Sequence, residues 1–220
     1  MANYYNNVKT ADEDGDTYLF VSIIWTELAL QLIDRLSGYE QLSHANNMGQ
    51  TALHLAVITG NVKVTRRLVV AGSPLNYRDK TNGDTPLHIA CRNGREDLVK
   101  AIVEPVRYLE TKTNGYDVPY RMLPFGLKNY DGKTCLLLAC EIRNGRDVIL
   151  CLINRGANIE ERDGKSGRTC IHVLVERGDS KTIDEVMKHT PRSKVYNAMI
   201  TSDWSGNTPL ETMCCCMYIR

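Results

Sequence analysis

A Gly-x-Thr step recurs six times along the 220-residue chain and limits its fold more than any other feature. It stands at Gly15-Asp16-Thr17, Gly49-Gln50-Thr51, Gly83-Asp84-Thr85, Gly132-Lys133-Thr134, Gly167-Arg168-Thr169 and Gly206-Asn207-Thr208, with successive glycines 34, 34, 49, 35 and 39 residues apart. The glycine permits a turn geometry that a β-carbon resists. The threonine can cap the first backbone N–H groups of a helix, and Pro86, directly after Thr85, has the helical φ already set. Behind the second step, Leu53, Leu55, Ala56 and Val57, then Val62, Val64, Leu68 and Val69, supply two apolar helix faces. Gly60-Asn61 parts the two helices and Gly72 closes the second. One such unit cannot bury its own faces, so neighbours must stack, and a one-dimensional solenoid is expected.

Thr85-Pro86-Leu87-His88-Ile89-Ala90 resembles the opening string of the ankyrin repeat, whose period is about 33 residues. Thr51-Ala52-Leu53-His54-Leu55-Ala56 misses only the proline. The expected fold is therefore all-α, an ankyrin-repeat solenoid of about six stacked helix–turn–helix repeats with projecting β-turn tips. A short acidic segment, residues 1–14, would precede a single repeat domain over 15–220, with repeats starting near 15, 49, 83, 132, 167 and 206. The first repeat departs from the pattern, as a terminal cap would, and the sixth has room for one helix only. Against the ankyrin period, the long spacing places about 15 extra residues near 106–127. Pro105, Gly115, Pro119, Pro124 and Gly126 mark that insertion as an extended loop.

Composition excludes several classes. Lys+Arg 27 against Asp+Glu 26 leaves a formal charge of +1, so no global basic excess points to nucleic acid. Leu19 to Trp25, the most apolar early stretch, falls far short of the roughly 20 residues of a membrane span. Residues 1–16 show no apolar core of a secretory signal. Eight cysteines occur without a CxxC pair, and Cys91, Cys140 and Cys170 sit in apolar helical stretches, where a free thiol packs as a small core residue. A reducing compartment, cytoplasm or nucleus, is expected.

The chemical candidates weaken on inspection. His54, His88 and His172 occupy one repeated slot, which suits a turn-bracing role better than catalysis or ligation. Gly164-Lys165-Ser166 has Ile159 where a phosphate loop requires glycine. Cys135 and Cys140 lack a histidine at zinc spacing, and Cys214–Cys216 form a consecutive run that suits a terminal helix. No nucleophile, base and oxyanion donor come together, so no enzyme, cofactor or metal is expected. Recognition by the turn tips remains. The candidates are Asn46, Asn47, Met48 and Gln50; Arg78, Asp79, Lys80 and Asn82; and Asn129, Tyr130 and Asp131. Asn and Asp are also the residues a tight turn needs, whereas Met48, Tyr130 and Arg78 are types enriched in interfaces. Asp12, Glu13, Asp14 and Asp16 give the first repeat a negative end suited to a basic segment.

Several of these strings together resemble the IκB family of inhibitors of Rel/NF-κB transcription factors. Glu13-Asp14-Gly15-Asp16 with Ile23-Ile24 and Leu28-Ala29-Leu30 looks like the family's first repeat, and Asn46-Asn47 before Gln50 to Thr59 like its second. Asn129-Tyr130-Asp131-Gly132 and Gly164 to Thr169 look like the fourth and fifth. Glu104-Pro105 with the insertion resembles the Cactus-like insect branch. The resemblance implies that the first repeats hold the nuclear-localisation segment of a Rel dimer while later repeats cover its dimerisation domain. Asp12, Glu13, Asp14 and Asp16 would then face the basic signal, and the tips at 46–50, 78–82 and 129–131 would lie along the dimer. The implied partner is a Rel/NF-κB-type dimer, with no direct nucleic acid, membrane or small-molecule ligand, and the implied location is cytoplasmic or nuclear. No Asp-Ser-Gly degron precedes Gly15 and no acidic tail follows the last repeat. The expectation is therefore a non-degradable short form, similar to those of insect polydnaviruses or to a truncated host inhibitor.

Overall fold

The chain's structure, a computed structural model, describes residues 10–36, 42–112 and 122–218. Residues 1–9 of the N-terminal segment and Gly115 and Pro119 of the insertion lie outside the described residues. Helices follow each Gly-x-Thr step: α1 (Tyr18–Ser22) and α2 (Thr26–Arg35), α3 (Ala52–Ile58) and α4 (Val62–Val70), α5 (Pro86–Arg92) and α6 (Glu96–Val103). A short α7 (Tyr108–Lys112) comes next, then α8 (Cys135–Glu141) and α9 (Arg146–Asn154), α10 (Cys170–Glu176) and α11 (Ser180–His189), α12 (Arg192–Ile200) and α13 (Pro209–Tyr218). Among the described residues, the only extended pairing outside helices is two isolated bridges, Ala11 with Thr17 and Ala45 with Thr51. The fold is the helical ankyrin repeat.

Two compact units divide the chain. The first comprises Met1–Ala90 with Asp97–Pro124. There α1 packs on α2 and α3, α3 on α4, and α2 on α4, so an inner row of short helices lies over an outer row. Leu19, Ile23, Ile33, Leu53, Leu68, Leu87, Leu98 and Ile102 are buried between them. In the second unit, Cys91–Glu96 with Phe125–Arg220, α8 packs on α9 and α10, α9 on α11, and α10 on α11, α12 and α13. Leu136, Ile149, Leu152, Ile171, Leu174 and Val186 fill that core.

One brace repeats at the start of the inner helices. The Thr51 N–H and hydroxyl both donate to Nδ1 of His54, at 3.1 and 2.9 Å. With Nδ1 accepting, the proton sits on Nε2, which donates across to the Asp84 carbonyl of the next repeat at 3.2 Å. Thr169 and His172 repeat the arrangement, with Nε2 reaching the Asn207 carbonyl at 3.1 Å, and Thr85 bonds His88 likewise. The turn ahead of each brace is tight. Ahead of the His54 brace, Gly49 has φ +74°, and a β-carbon there would come within 3.1 Å of the Lys80 backbone.

Two features depart from the sequence expectation. The insertion begins as a helix, α7, where prolines and glycines indicated only loop. Glu110 closes its first turn by accepting the Arg107 N–H, and Arg66 on α4 grips both Glu110 oxygens at 2.8 and 2.7 Å. The same guanidinium also bonds the carbonyls of Ala101, Glu104 and Pro105, which fastens the start of the insertion to the first unit. In the second unit, α12 fills the wide spacing between the fifth and sixth steps. Pro191 stands at its N-cap and Ala198 is buried beneath it.

Replacing Leu53 or Leu87 by alanine should cost about 2–5 kcal/mol in urea unfolding, because each is fully enclosed. Burial holds the imidazoles of His54 and His172 below the ordinary histidine range. The unfolded chain then binds more protons, so stability is full above the ordinary histidine value and falls as pH drops below it. NMR titration should find both rings ionising below free histidine, with the melting temperature declining as pH is lowered from 7 towards 5, a window set by a free value of about 6.5.

Candidate recognition surface

Each turn is built around one Asn or Asp whose side chain accepts N–H groups of its own turn. Asp12 Oδ1 accepts the N–H groups of Asp14 and Asp16, at 3.0 and 2.8 Å. Asn46 does the same for Met48 and Gln50, Asp79 for Asn82 and Asp84, and Asn129 for Asp131 and Lys133. Asp163 and Asp203 continue the pattern. Burial pushes the Asp163 carboxyl up, but its bonds from Ser166 and Lys165 outweigh that and hold it low. Three of the residues expected along the interface are therefore turned away from it. Asn46, Asp79 and Asn129 are buried, because their side chains replace solvent for the N–H groups of their own turns.

The remaining candidates stay outside. Asp12, Glu13 and Asp14 are exposed, as are Asn47, Met48, Arg78, Lys80, Asn82, Tyr130 and Asp131, while Asp16 and Gln50 are half-buried. In the first unit the tips form one ladder. The Asn47 N–H donates to Asp14 O, the Asn47 amide to Glu13 O, the Asn46 amide to Asp16 Oδ1, and the Lys80 N–H to Met48 O. The structure thus joins residues 12–16, 46–50 and 78–82. The tip at 129–131 belongs to the second unit, where Gly164 N–H meets Gly132 O at 2.7 Å and Lys165 pairs with Asp131 at 2.7 Å. The Lys165 ammonium holds the Asp131 carboxyl below the ordinary range.

Sequence reasoning about tips overlooked the inner helices. In the first unit, Val21 on α1 (43% exposed), Ile24 (72%) and Trp25 (59%) just after it, and Ile58 (48%) at the end of α3, which packs on α1, are all open to solvent. Ile24 and Ile58 share one position, nine residues after their turn glycines. In the second unit that position holds Arg92, Glu141 and Glu176; Glu141 pairs with Lys133 at 2.5 Å and Glu176 with Arg168 at 2.9 Å. Such exposed pairs add little stability, about 0–1 kcal/mol each, but they change the face from apolar to ionic. They line a concavity of about 560 Å³ together with Asp131 and Lys165. In the same unit the Arg162 guanidinium lies 5.1 Å from the centre of the Trp204 ring. The signal was in the sequence, as opposite charges eight residues apart in consecutive repeats.

Among the described residues, no group of three or more His, Cys, Asp and Glu is placed to hold a metal ion, and no helix is long and apolar enough to cross a membrane.

The family model for ankyrin repeats matches residues 26–114 and 60–163, and the chain belongs to the ankyrin-repeat family. Within it, the resemblance to the IκB proteins holds. The chain is 36% identical over 81% of its length to the NF-kappa-B inhibitor alpha of Gallus gallus and 32% identical over 81% to the B-cell lymphoma 3 protein homolog of Mus musculus. It is 33% identical over 66% of its length to the NF-kappa-B inhibitor cactus of Drosophila melanogaster. It spans 54%, 37% and 38% of those three proteins respectively. The solved ankyrin repeat domain of Bcl-3, described as a unique member of the IkappaB protein family, superposes over 91% of this chain and 80% of that one, with a TM-score of 0.69 at 28% identity.

The inward Asx residues and the outward tip residues should separate under mutation. Asn46→Ala or Asp79→Ala strips backbone donors of their acceptor and should cost about 1–3 kcal/mol in urea unfolding. Met48→Ala and Tyr130→Ala should stay within about 0.5 kcal/mol of wild type.

Proposed function

We propose that this chain is an IκB-like inhibitor that binds a Rel/NF-κB-type dimer, holds its nuclear-localisation segment on the first repeats and blocks its access to DNA. The observation that carries the reading is the first unit's combination of exposed acids at Asp12, Glu13 and Asp14 with the exposed apolar residues Val21, Ile24, Trp25 and Ile58. A basic segment with an apolar side meets both requirements at once, since charge steers it and apolar burial retains it. The relatives named NF-kappa-B inhibitor favour a Rel protein as its source. The ladder of tips supplies further contact through Met48, Arg78, Lys80 and Asn82 in the first unit, and Tyr130 and Asp131 add to it in the second. Contact over several repeats would bury more than the roughly 1,600 Å² of a standard interface. The inhibitor would act where the localisation signal is exposed, in the cytoplasm.

A nuclear co-regulator that joins Rel dimers on DNA is the second reading. The similar likeness to the B-cell lymphoma 3 protein, whose name describes no inhibitor, favours it. Purified Rel homology dimers distinguish the two. An inhibitor displaces labelled DNA from the dimer, whereas a co-regulator forms a ternary complex, and no binding at micromolar concentration removes both and leaves an ankyrin adaptor with another partner.

The acidic end can be tested without disturbing the turn, because Asn already fills the Asp12 slot in the second and fourth repeats, as Asn46 and Asn129. The quadruple variant Asp12→Asn, Glu13→Gln, Asp14→Asn, Asp16→Asn should bind the dimer more weakly than wild type, with the larger loss at low salt, where charge pairing is least screened. Equal affinity at both salt levels would reduce the cluster to a cap on the first repeat.

A further inference from the structure

Two register positions in the second unit are filled by cysteine together, twice. Counted from the turn glycines, the eighth residue of one repeat and the third of the next are Cys91 and Cys135, then Cys140 and Cys170. Elsewhere these positions hold Ile23 and Ala52, Val57 and Pro86, and Val175 and Pro209, so packing alone does not call for sulfur. All four thiols are free and buried. Across the repeat boundary, the Cys135 thiol acts on that of Cys91 and the Cys170 thiol on that of Cys140. The second thiol of each pair donates onward to a carbonyl just ahead of its own turn, Cys135 to Phe125 O at 3.9 Å and Cys170 to Ile159 O at 3.4 Å. The two pairs sit at the second unit's successive repeat boundaries, the later one where α8 packs on α10.

Burial, with the Cys135 thiol beside it, pushes the Cys91 thiol up, and the Cys170 thiol together with burial does the same for Cys140. Thiolate is scarce while the helices are packed, so attack on an oxidant is slow until they part. Repeat proteins open locally because each repeat is held only by its neighbours. The geometry points to two disulfide-forming modification sites, Cys91–Cys135 and Cys140–Cys170, closed by hydrogen peroxide when the second unit opens locally.

The chemistry balances. One thiolate attacks the peroxide O–O bond, giving a sulfenic acid and a hydroxide that takes up the released proton as water. The partner thiol attacks the sulfenic sulfur, forms the S–S bond and expels the oxygen as a second water. Two thiols and one peroxide yield one disulfide and two waters. The products tie α8 to the end of α5 and α10 to α8, so that contacts between neighbouring inner helices become covalent. This inference stands apart from the identity of the partner.

The test uses the full chain with Cys214→Ser, Cys215→Ser and Cys216→Ser, which removes the terminal thiols. The reduced protein is treated with hydrogen peroxide in buffer and in urea below its unfolding midpoint, then alkylated and mapped as peptides without reduction. The expected products are the Cys91–Cys135 and Cys140–Cys170 cross-links, formed faster in urea. Cys151, half-buried on α9, should be recovered alkylated. Adding Cys170→Ala should abolish the second cross-link and spare the first. Random pairing that includes Cys151, sulfinic or sulfonic acids without cross-links, or equal rates with and without urea would overturn the proposal.

Discussion

The histidine that opens an inner helix holds this architecture in register. His54 spends Nδ1 on the N–H and hydroxyl of Thr51 and Nε2 on the Asp84 carbonyl of the following repeat, and His172 does the same between Thr169 and Asn207. One neutral ring therefore fixes a helix start and the position of the neighbour. The requirement for neutrality is part of the device, because protonating Nδ1 would remove the acceptor that Thr51 and Thr169 use. A solenoid has few long-range constraints, so a bond of this kind at two of its boundaries matters more than it would in a globular core.

With the turns held, the residues around them divide into those that make the fold and those that the fold presents. Asn46, Asp79 and Asn129 look inward and satisfy their own backbones, while Met48, Arg78, Lys80 and Tyr130 look outward from the same turns. The inner helices divide along the chain as well. The same register position carries Ile24 and Ile58 in the first unit and Arg92, Glu141 and Glu176 in the second. The first unit thus offers exposed apolar residues and exposed acids, and the second offers ion-paired rungs and the Arg162–Trp204 stack. Two unlike faces suit a partner with two unlike regions, a flexible basic segment and a folded polar surface.

Much of this was legible in the residues. The Gly-x-Thr step specified the turns, and the shared slot of His54, His88 and His172 pointed to the brace, because a period of about 33 residues is a strong constraint. The insertion and α12 were not legible, since each depends on contacts made at a distance. Arg66 lies 44 residues from Glu110, and nothing local announces that it grips α7. The inward turn of Asn46, Asp79 and Asn129 was hidden for another reason. The same residue types serve solvated tips and Asx turns, and only the direction of the side chain separates them. Ile24 and Ile58 carry no mark in the sequence that separates them from core isoleucines, yet the short inner helices leave them open to solvent.

Hydrogen exchange followed by mass spectrometry, with and without a purified Rel homology dimer, tests the central claim most directly, since it reports where the partner sits. The claim requires slowed exchange in the dimer's presence at residues 12–16 and 46–50 and along 21–25, with the outer helices α2 and α4 unchanged. Unchanged exchange over the first unit at micromolar dimer, or protection confined to α2 and α4, would contradict it.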